Sequence, residues 1–304
     1  MITITGLHVR FGGTYAVEDF DLVVPDGQTT VIIGESGSGK SVMLSAILQI
    51  LPREARVTGS VRLGDTELMG LPARQFRRIR GARLAYIPQG SGNSLNPLLT
   101  TGFQIAEPLM EHHKTPKKQA LRDAIALMRR LNMGDEERVA QAYPHTLSGG
   151  MKQRALIAMG VASDAPDILA DEPTKGLDRE RIAMIEELFA QLANSTILCV
   201  SHDLRFTQTV ADRVCVMYDA QKVEEADAAE FFARPLHPYA QMMLAALPEN
   251  GMHGGGFATA YESDYHGCRF RERCPHRTQK CTAPPPMVAV GTRKVRCHLY
   301  ADTR

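Results

Sequence analysis

The sequence has no tryptophan, few aromatic residues (6%) and almost no net charge, with 35 basic against 34 acidic residues for a formal +1. That balance removes any general electrostatic attraction to nucleic acid or to an acidic membrane surface, so no nucleic-acid partner is expected. Long apolar runs are missing as well: no stretch reaches the roughly eighteen residues that a membrane-spanning helix needs. Met1 to Phe11 lacks the charged-then-apolar pattern of a secretion signal, and the chain is expected in the cytosol. Cysteine is scarce, six in 304 residues, and a cytosolic chain does not use it for a disulfide framework. What remains is an ordinary composition, 44% hydrophobic, long enough for one large domain and something smaller.

Against this background one stretch stands out. Gly34-Glu35-Ser36-Gly37-Ser38-Gly39-Lys40-Ser41 fits glycine, four free positions, then Gly-Lys-Ser, the pattern that cradles nucleotide phosphates. The β-branched run Thr29 to Ile33 before it reads as a buried strand. Leu44, Ile47, Leu48 and Leu51 after it read as a helix stopped by Pro52. Glycines let consecutive backbone N–H groups turn inward, and the helix N-terminus adds partial positive charge. Lys40 is expected to neutralise the β- and γ-phosphates and Ser41 to ligate magnesium.

Alternating apolar residues from Ile2 to Val24, and again from Val57 to Leu68, predict antiparallel strands forming a small sheet. Phe11 lies 23 residues before Gly34; it either stacks on a purine ring or packs in the core, and Tyr15 is a weaker candidate. Leu84 to Pro88 reads as a strand delivering Gln89 to a loop, Gly90 to Pro97, dense in turn residues. Phe103 to His112 reads as helix, and Thr115-Pro116 as N-cap and first turn of another, with Leu121, Ala124, Ile125, Met128 and Leu131 on its apolar face. Ser148-Gly149-Gly150 opens a further helix, either as a plain N-cap or as an anion-facing turn.

Asp167 to Asp171 is an apolar strand ending in the adjacent carboxylates Asp171 and Glu172. Such a pair is costly near phosphates unless a metal and a proton-transfer task require it. Asp171 is expected to hold Mg²⁺ and Glu172 to polarise the attacking water. Gly176-Leu177-Asp178 precedes a helix from about Glu180 to Leu192, and the strand Thr196 to Val200 ends at His202, placed to contact the γ-phosphate. Arg213 to Tyr218 is one more strand. Cys199 and Cys215 fall within strands as core residues.

Together, Gly34 to Ser41, Gln89, Leu147 to Met151, Ile168 to Glu172, Gly176 to Asp178 and His202 resemble an ABC-type ATPase, the nucleotide-binding subunit of ATP-driven transporters. The resemblance implies an α/β P-loop (RecA-like) core with an antiparallel β subdomain and a helical subdomain at about 90–162. It makes Gln89 a magnesium and coupling-loop residue, with Lys40, Glu172 and His202 catalytic. Phe11, Gly34, Glu35, Ser36, Gly37, Ser38, Gly39, Lys40, Ser41, Val42 and Asp178 would contact nucleotide. Ser148, Gly149 and Gly150 would complete the site of a second ATPase subunit, identical or homologous, in a head-to-tail dimer.

The phosphate loop, Ser94 to Pro97, Arg234-Pro235-Leu236-His237-Pro238-Tyr239 and a cysteine-rich end are similar to one branch, the subunits that drive dipeptide, oligopeptide and nickel importers. This implies a nucleotide-binding domain at 1–240 and an extension at 241–304. It also implies two membrane permeases, an extracytoplasmic substrate-binding protein reached through the complex, and a peripheral position on the cytoplasmic face of the membrane. Peptide is the expected cargo and nickel the alternative; a soluble ABC ATPase and a non-catalytic cassette fit less well. Three departures are visible: Met151 where the family usually has Gln, Lys175-Gly176 where the branch commonly has Thr-Ala, and the loose Gly254-Gly255-Gly256 connection.

In the extension, Cys268, Cys274, Cys281 and Cys297 are separated by five, six and fifteen residues. This is not the paired CxxC of a zinc finger, yet four thiols suit either zinc or a [4Fe–4S] cluster, and simple packing is the third reading. The resemblance favours iron–sulfur. Residues 264–304 carry nine Arg or Lys against three Asp or Glu, a net of +6, either a solvated basic face or charge that helps hold an anionic cluster.

Overall fold

Strands form where β-branched residues meet burial, and this is plainest in β3 (Thr29–Ile33), whose five residues are all buried. The computed structural model describes residues 1–90, 94–248 and 266–301. The Gly254-Gly255-Gly256 connection lies outside them, as do Ser91, Gly92 and Asn93 of the loop after Gln89. The chain divides into two compact units. One holds Met1–Ile2, Val24–Thr29 and Gly70–Ser201; the other holds Thr3–Val23, Thr30–Met69 and His202–Arg304.

In the second unit β1 (Ile2–Phe11) and β2 (Thr14–Val24) flank the Gly12-Gly13 turn and bury alternate residues, the period-two signature of a half-buried sheet. After β3, helix α1 (Lys40–Ile47) follows the glycine loop. β4 (Ala55–Leu63) and the short β5 (Thr66–Glu67) complete an antiparallel sheet ordered β2-β1-β4-β5. Gly59 of β4 has φ +107° and lies so close to the Gly6 carbonyl that a Cβ would collide with it.

The first unit then takes over. Helix α2 (Ala73–Ile79) leads to strand β6 (Leu84–Ile87). Helices α3 (Thr101–His112), α4 (Lys117–Arg130), α5 (Glu136–Gln141) and α6 (Gly149–Val161) follow, with α3 packed on the other three. The α4 start differs from expectation: Pro116 itself is the N-cap, at ψ 139°, and Thr115 is outside the helix. Proline lacks the N–H that the first turn leaves unsatisfied, so it fits at the cap as well as at the first helical position. Of the expected α4 face Ala124, Met128 and Leu131 are buried while Leu121 and Ile125 are half-buried, and Ala120 is buried in addition.

Strand β7 (Asp167–Asp171), helix α7 (Arg179–Gln191) and strand β8 (Thr196–Ser201) close this unit. β6, β7 and β8 are parallel neighbours, in register Ile87 with Ala170 and Asp171 with Val200. β7 and β8 are buried along their whole length, as parallel strands covered on both faces are. Their carboxyl ends therefore share one edge.

Back in the second unit come α8 (Leu204–Val210), β9 (Arg213–Tyr218), β10 (Gln221–Asp227), α9 (Ala228–Ala233) and α10 (Pro238–Ala245). β9 pairs with β3 in parallel and with β10 antiparallel. The C-terminal segment extends that sheet: β12 (Arg293–Arg296) joins β10, and β11 (Met287–Val290) joins β12. A buried carboxylate fixes the connection, because Glu224 accepts from the backbone N–H groups of Leu236 (2.9 Å) and His237 (2.7 Å). His237 in turn caps α10 through Nδ1, accepting from the Tyr239 N–H at 3.1 Å. Burial pushes His237 down to about 3, so its ring stays neutral.

Gly59→Ala is expected to cost about 1–3 kcal/mol, because the left-handed backbone and the Gly6 carbonyl both reject a side chain. Urea denaturation of the purified chain measures it.

Candidate functional site: the phosphate loop and its surroundings

The glycine loop starts where β3 runs out. Gly39, the N-cap of α1, has φ +101°, and its Cα faces the Ala16 carbonyl and Met217; the Cα of Gly34 faces the Met217 carbonyl. Neither position has room for a Cβ. The Ser38 carbonyl accepts from the Ala220 N–H at 3.1 Å, which ties the loop to the turn after β9. Ser36 and Gly37 are exposed at its crest.

Lys40 is only 5% exposed. Its Nζ donates to the carbonyls of Gly34 (2.7 Å) and Glu35 (2.8 Å) and to Ser38 Oγ (3.3 Å). The ammonium is thereby held over the loop at the N-terminus of α1, whose partial positive charge favours an anion. Ser41 and Val42, half-buried, open α1.

Two partners of this loop come from far along the chain. The Glu35 N–H donates to the Tyr239 hydroxyl at 2.8 Å, and the Glu35 carboxylate takes two parallel bonds from Arg273, at 2.8 and 3.0 Å. Pairing with Glu35 and Tyr218 pushes the Arg273 guanidinium further up. Gly34, Glu35, His202, Tyr239, Met242 and Arg273 border a cavity of about 350 Å³. His202, exposed, thus lies beside the loop as expected. Asp203 after it caps α8, accepting from the N–H groups of Arg205 (3.0 Å) and Phe206 (3.1 Å). Phe11 ends β1, half-buried beside the Gly12-Gly13 turn, and Arg10 covers a face of Tyr15 with its guanidinium carbon 4.7 Å from the ring centre.

The first unit presents the acidic residues. Asp171 ends β7, buried, and Glu172 turns the chain with φ +50°, its N–H donating to the Val200 carbonyl at 2.9 Å. Tyr86 of the neighbouring strand shares a side-chain hydrogen bond with Asp171; burial first, then the Asp171 charge, pushes the phenol up to about 12. The phenol therefore stays protonated and donates. Gln153 of α6 donates to the Pro173 carbonyl at 3.0 Å, bracing the strand end. Gln89, exposed, leaves the same edge at the end of β6. Burial raises the Cys199 and Cys215 thiols, leaving both inert in their strands.

Ser148 is the N-cap of α6, its Oγ accepting from the Met151 N–H at 3.3 Å; Gly149 is exposed and Gly150 buried. Asp178 is the N-cap of α7, accepting from the Arg181 N–H at 3.0 Å, and its other oxygen meets the Arg181 guanidinium at 3.1 Å. Gly150 lies against that same Arg181 side chain, which would have to shift to admit a Cβ. Arg181, unremarkable in the sequence, thus connects the Ser148–Gly150 turn with Asp178.

Cys268, Cys274, Cys281 and Cys297 line one cavity of about 340 Å³, together with His237 and Phe270. The Cys268 N–H donates to the Cys281 carbonyl at 2.9 Å. Burial, and then the charges of the other three, pushes the Cys268 thiol up to about 11; Cys274 and Cys297 are raised for similar reasons. All six cysteines are free thiols. Among the described residues no three of His, Cys, Asp or Glu are grouped as ligands of a single metal ion, and no helix is long and apolar enough to cross a membrane.

Asp178→Ala is expected to lower stability by about 1 kcal/mol through loss of the α7 cap, with Asp178→Asn retaining most of it. The exposed ion pair to Arg181 adds little. Chemical denaturation of the three proteins gives the comparison.

The ABC transporter family profile matches residues 17–175, and that of the oligopeptide/dipeptide transporter C-terminal region matches residues 223–281. The chain is 36% identical to the oligopeptide transport ATP-binding protein AppD of Bacillus subtilis, covering 94% of this chain and 92% of AppD. It is also 36% identical to the dipeptide transport ATP-binding protein DppD of Haemophilus influenzae, over 98% and 95%. A solved dimeric ATP-binding cassette in a post-hydrolysis state, bound to ADP and Pi, superposes with a TM-score of 0.68 at 26% identity, covering 75% of this chain and 99% of that one. The chain accordingly belongs to the ABC transporter family and carries the C-terminal region of its oligopeptide/dipeptide transporters.

Proposed function

We propose that this ATPase powers the import of di- and oligopeptides. ATP hydrolysis follows from the family. The observation that carries the peptide assignment is that the match to the oligopeptide/dipeptide C-terminal region falls in the same chain as a phosphate loop with Lys40 folded over it. The relatives described above are named for peptides and not for nickel, which favours peptide as cargo.

In this reading the loop N–H groups from Gly34 to Ser41 and the Lys40 ammonium hold the phosphates, Val42 borders them and Phe11 stacks on the base. Glu172 orients the attacking water and accepts its proton as the bond to the γ-phosphorus forms; the ADP oxygen leaves with the other electron pair. His202 steadies the γ-phosphate. Magnesium, when bound, supplies charge neutralisation on the phosphate oxygens. Ser41, Gln89 and Asp171 would hold it, and a hydroxyl, an amide and a carboxylate are the oxygen donors that suit it.

The match to a dimeric cassette supports a pair of such subunits. Ser148 to Gly150 would serve the second subunit's nucleotide. Domain roles follow the same logic, with 1–240 binding nucleotide, its helical part at about 90–162, and 241–304 forming the extension. The pair would work at the cytoplasmic face of the membrane beneath two permeases, with a substrate-binding protein delivering peptide outside.

For the four tail cysteines a [4Fe–4S] cluster is the better fit. Four thiols share one cavity, which gathers the sulfur donors that a cluster needs. Four thiolate donors match the ligand set of such clusters.

Glu172→Gln is expected to bind ATP as the wild type does and to lose turnover; a variant hydrolysing at near the wild-type rate would remove Glu172 from the reaction. Purified anaerobically, the complex is expected to bring down two integral membrane proteins and to absorb near 400 nm with about four irons per chain. A colourless preparation free of iron and zinc would overturn the metal reading, and recovery of ribosomes or DNA in place of membrane proteins would overturn the transport reading.

A further inference from the structure

The loop Gly34 to Ser41 carries one acidic residue, Glu35. A carboxylate within a phosphate nest opposes the charge for which the nest is built, because like charges at close range repel most where water is partly excluded. Most of the loop's other groups favour an anion.

Arg273 answers that carboxylate. Its guanidinium makes a two-pronged pair with Glu35 at 2.8 and 3.0 Å, the geometry that adds direction as well as charge. The Arg273 side chain is 9% exposed and that of Glu35 43%, so the cation is the fixed partner. The guanidinium carbon lies 5.6 Å from the Phe270 ring centre and 5.8 Å from that of Tyr218. Tyr218 and Phe270 meet edge to face at 5.3 Å, and both rings contact Tyr239, whose hydroxyl accepts from the Glu35 N–H. The Arg273 backbone is fixed as well, its N–H donating to the Phe270 carbonyl at 3.1 Å. The ordering cost of this cation is therefore met by folding and not by nucleotide binding.

We propose that Arg273, supplied by the C-terminal region, is a positioning residue for the phosphate loop: it neutralises Glu35 and so lets a loop that contains a carboxylate bind a nucleoside triphosphate. The proposal rests on the reading of Gly34 to Ser41 as the phosphate site. It gives the extension a task in the nucleotide site that follows from a direct contact.

The test is the affinity of the full-length chain for a fluorescent ATP analogue in four proteins: wild type, Arg273→Gln, Glu35→Gln and the double variant. Arg273→Gln is expected to bind about tenfold more weakly, equivalent to ~1.4 kcal/mol. Glu35→Gln removes the opposing charge and is expected to bind more tightly than Arg273→Gln, and the double variant should recover most of the affinity lost in Arg273→Gln. The tenfold defect should also shrink as salt is raised, since screening weakens an uncompensated exposed charge. Wild-type affinity in Arg273→Gln would overturn the proposal. So would a double variant as weak as Arg273→Gln, because Arg273 would then act through its packing on Phe270 and Tyr218. Should Arg273→Gln not fold, Arg273→Lys decides: it keeps the positive charge beside Glu35, and a tenfold loss there sinks the idea. Lys40→Ala separates the underlying reading: if it binds the analogue as tightly as wild type, the phosphate site itself is misassigned.

Discussion

The Lys40 ammonium sits over the carbonyls of Gly34 and Glu35, and much of the second unit keeps it there. A lysine can fold back in this way only if the loop beneath it turns tightly, and the turn is possible only where the backbone approaches Ala16 and Met217 without a Cβ between. β9 supplies Met217, β2 supplies Ala16, and the turn after β9 donates to the Ser38 carbonyl. A cation buried to 5% exposure would be expensive on its own. Three acceptors within hydrogen-bond reach make it tolerable.

The acidic residues of the first unit obey a similar constraint with the sign reversed. Asp171 is buried at the end of a fully buried strand, with the Tyr86 phenol beside it. Glu172 stands in a left-handed conformation, braced through its N–H to Val200. Positive φ at a non-glycine residue costs stability and persists where the surroundings impose it. The parallel register of β6, β7 and β8 brings Gln89 and this pair to one edge.

The C-terminal region is no loose appendage in physical terms. Its strand β12 completes pairing along β10, Glu224 ties the Leu236–His237 backbone to that strand, and the Arg273 side chain reaches the phosphate loop. Four thiols gather in one cavity within it, and burial raises the proton affinity of Cys268, Cys274 and Cys297. A thiol raised by burial and by its neighbours becomes a stable thiolate when a metal supplies the compensating charge.

Much of this was legible in the residues alone. β-Branched runs such as Thr29 to Ile33 announce buried strands, glycines before Gly39-Lys40 announce the loop, and Ser148 announces a cap, because each signal is local and its physics acts over a few residues. The start of α4 at Pro116 was misplaced by a residue for the same local reason, since proline suits the cap and the first turn alike. Only the tertiary structure could decide what joins distant segments. Arg273 is 238 residues from Glu35, and Tyr239 is 204; Arg273 read simply as one of nine bases in a basic tail, and Tyr239 as part of a branch motif. Arg181 between Gly150 and Asp178 carried no signal either. Sequence alone thus determined that the chain is an ABC-type ATPase, because the phosphate loop and the other motifs are local types at local spacings. Which charges stand opposite one another was decided by the packing of strands and rings far apart in the chain, and no local pattern encodes that.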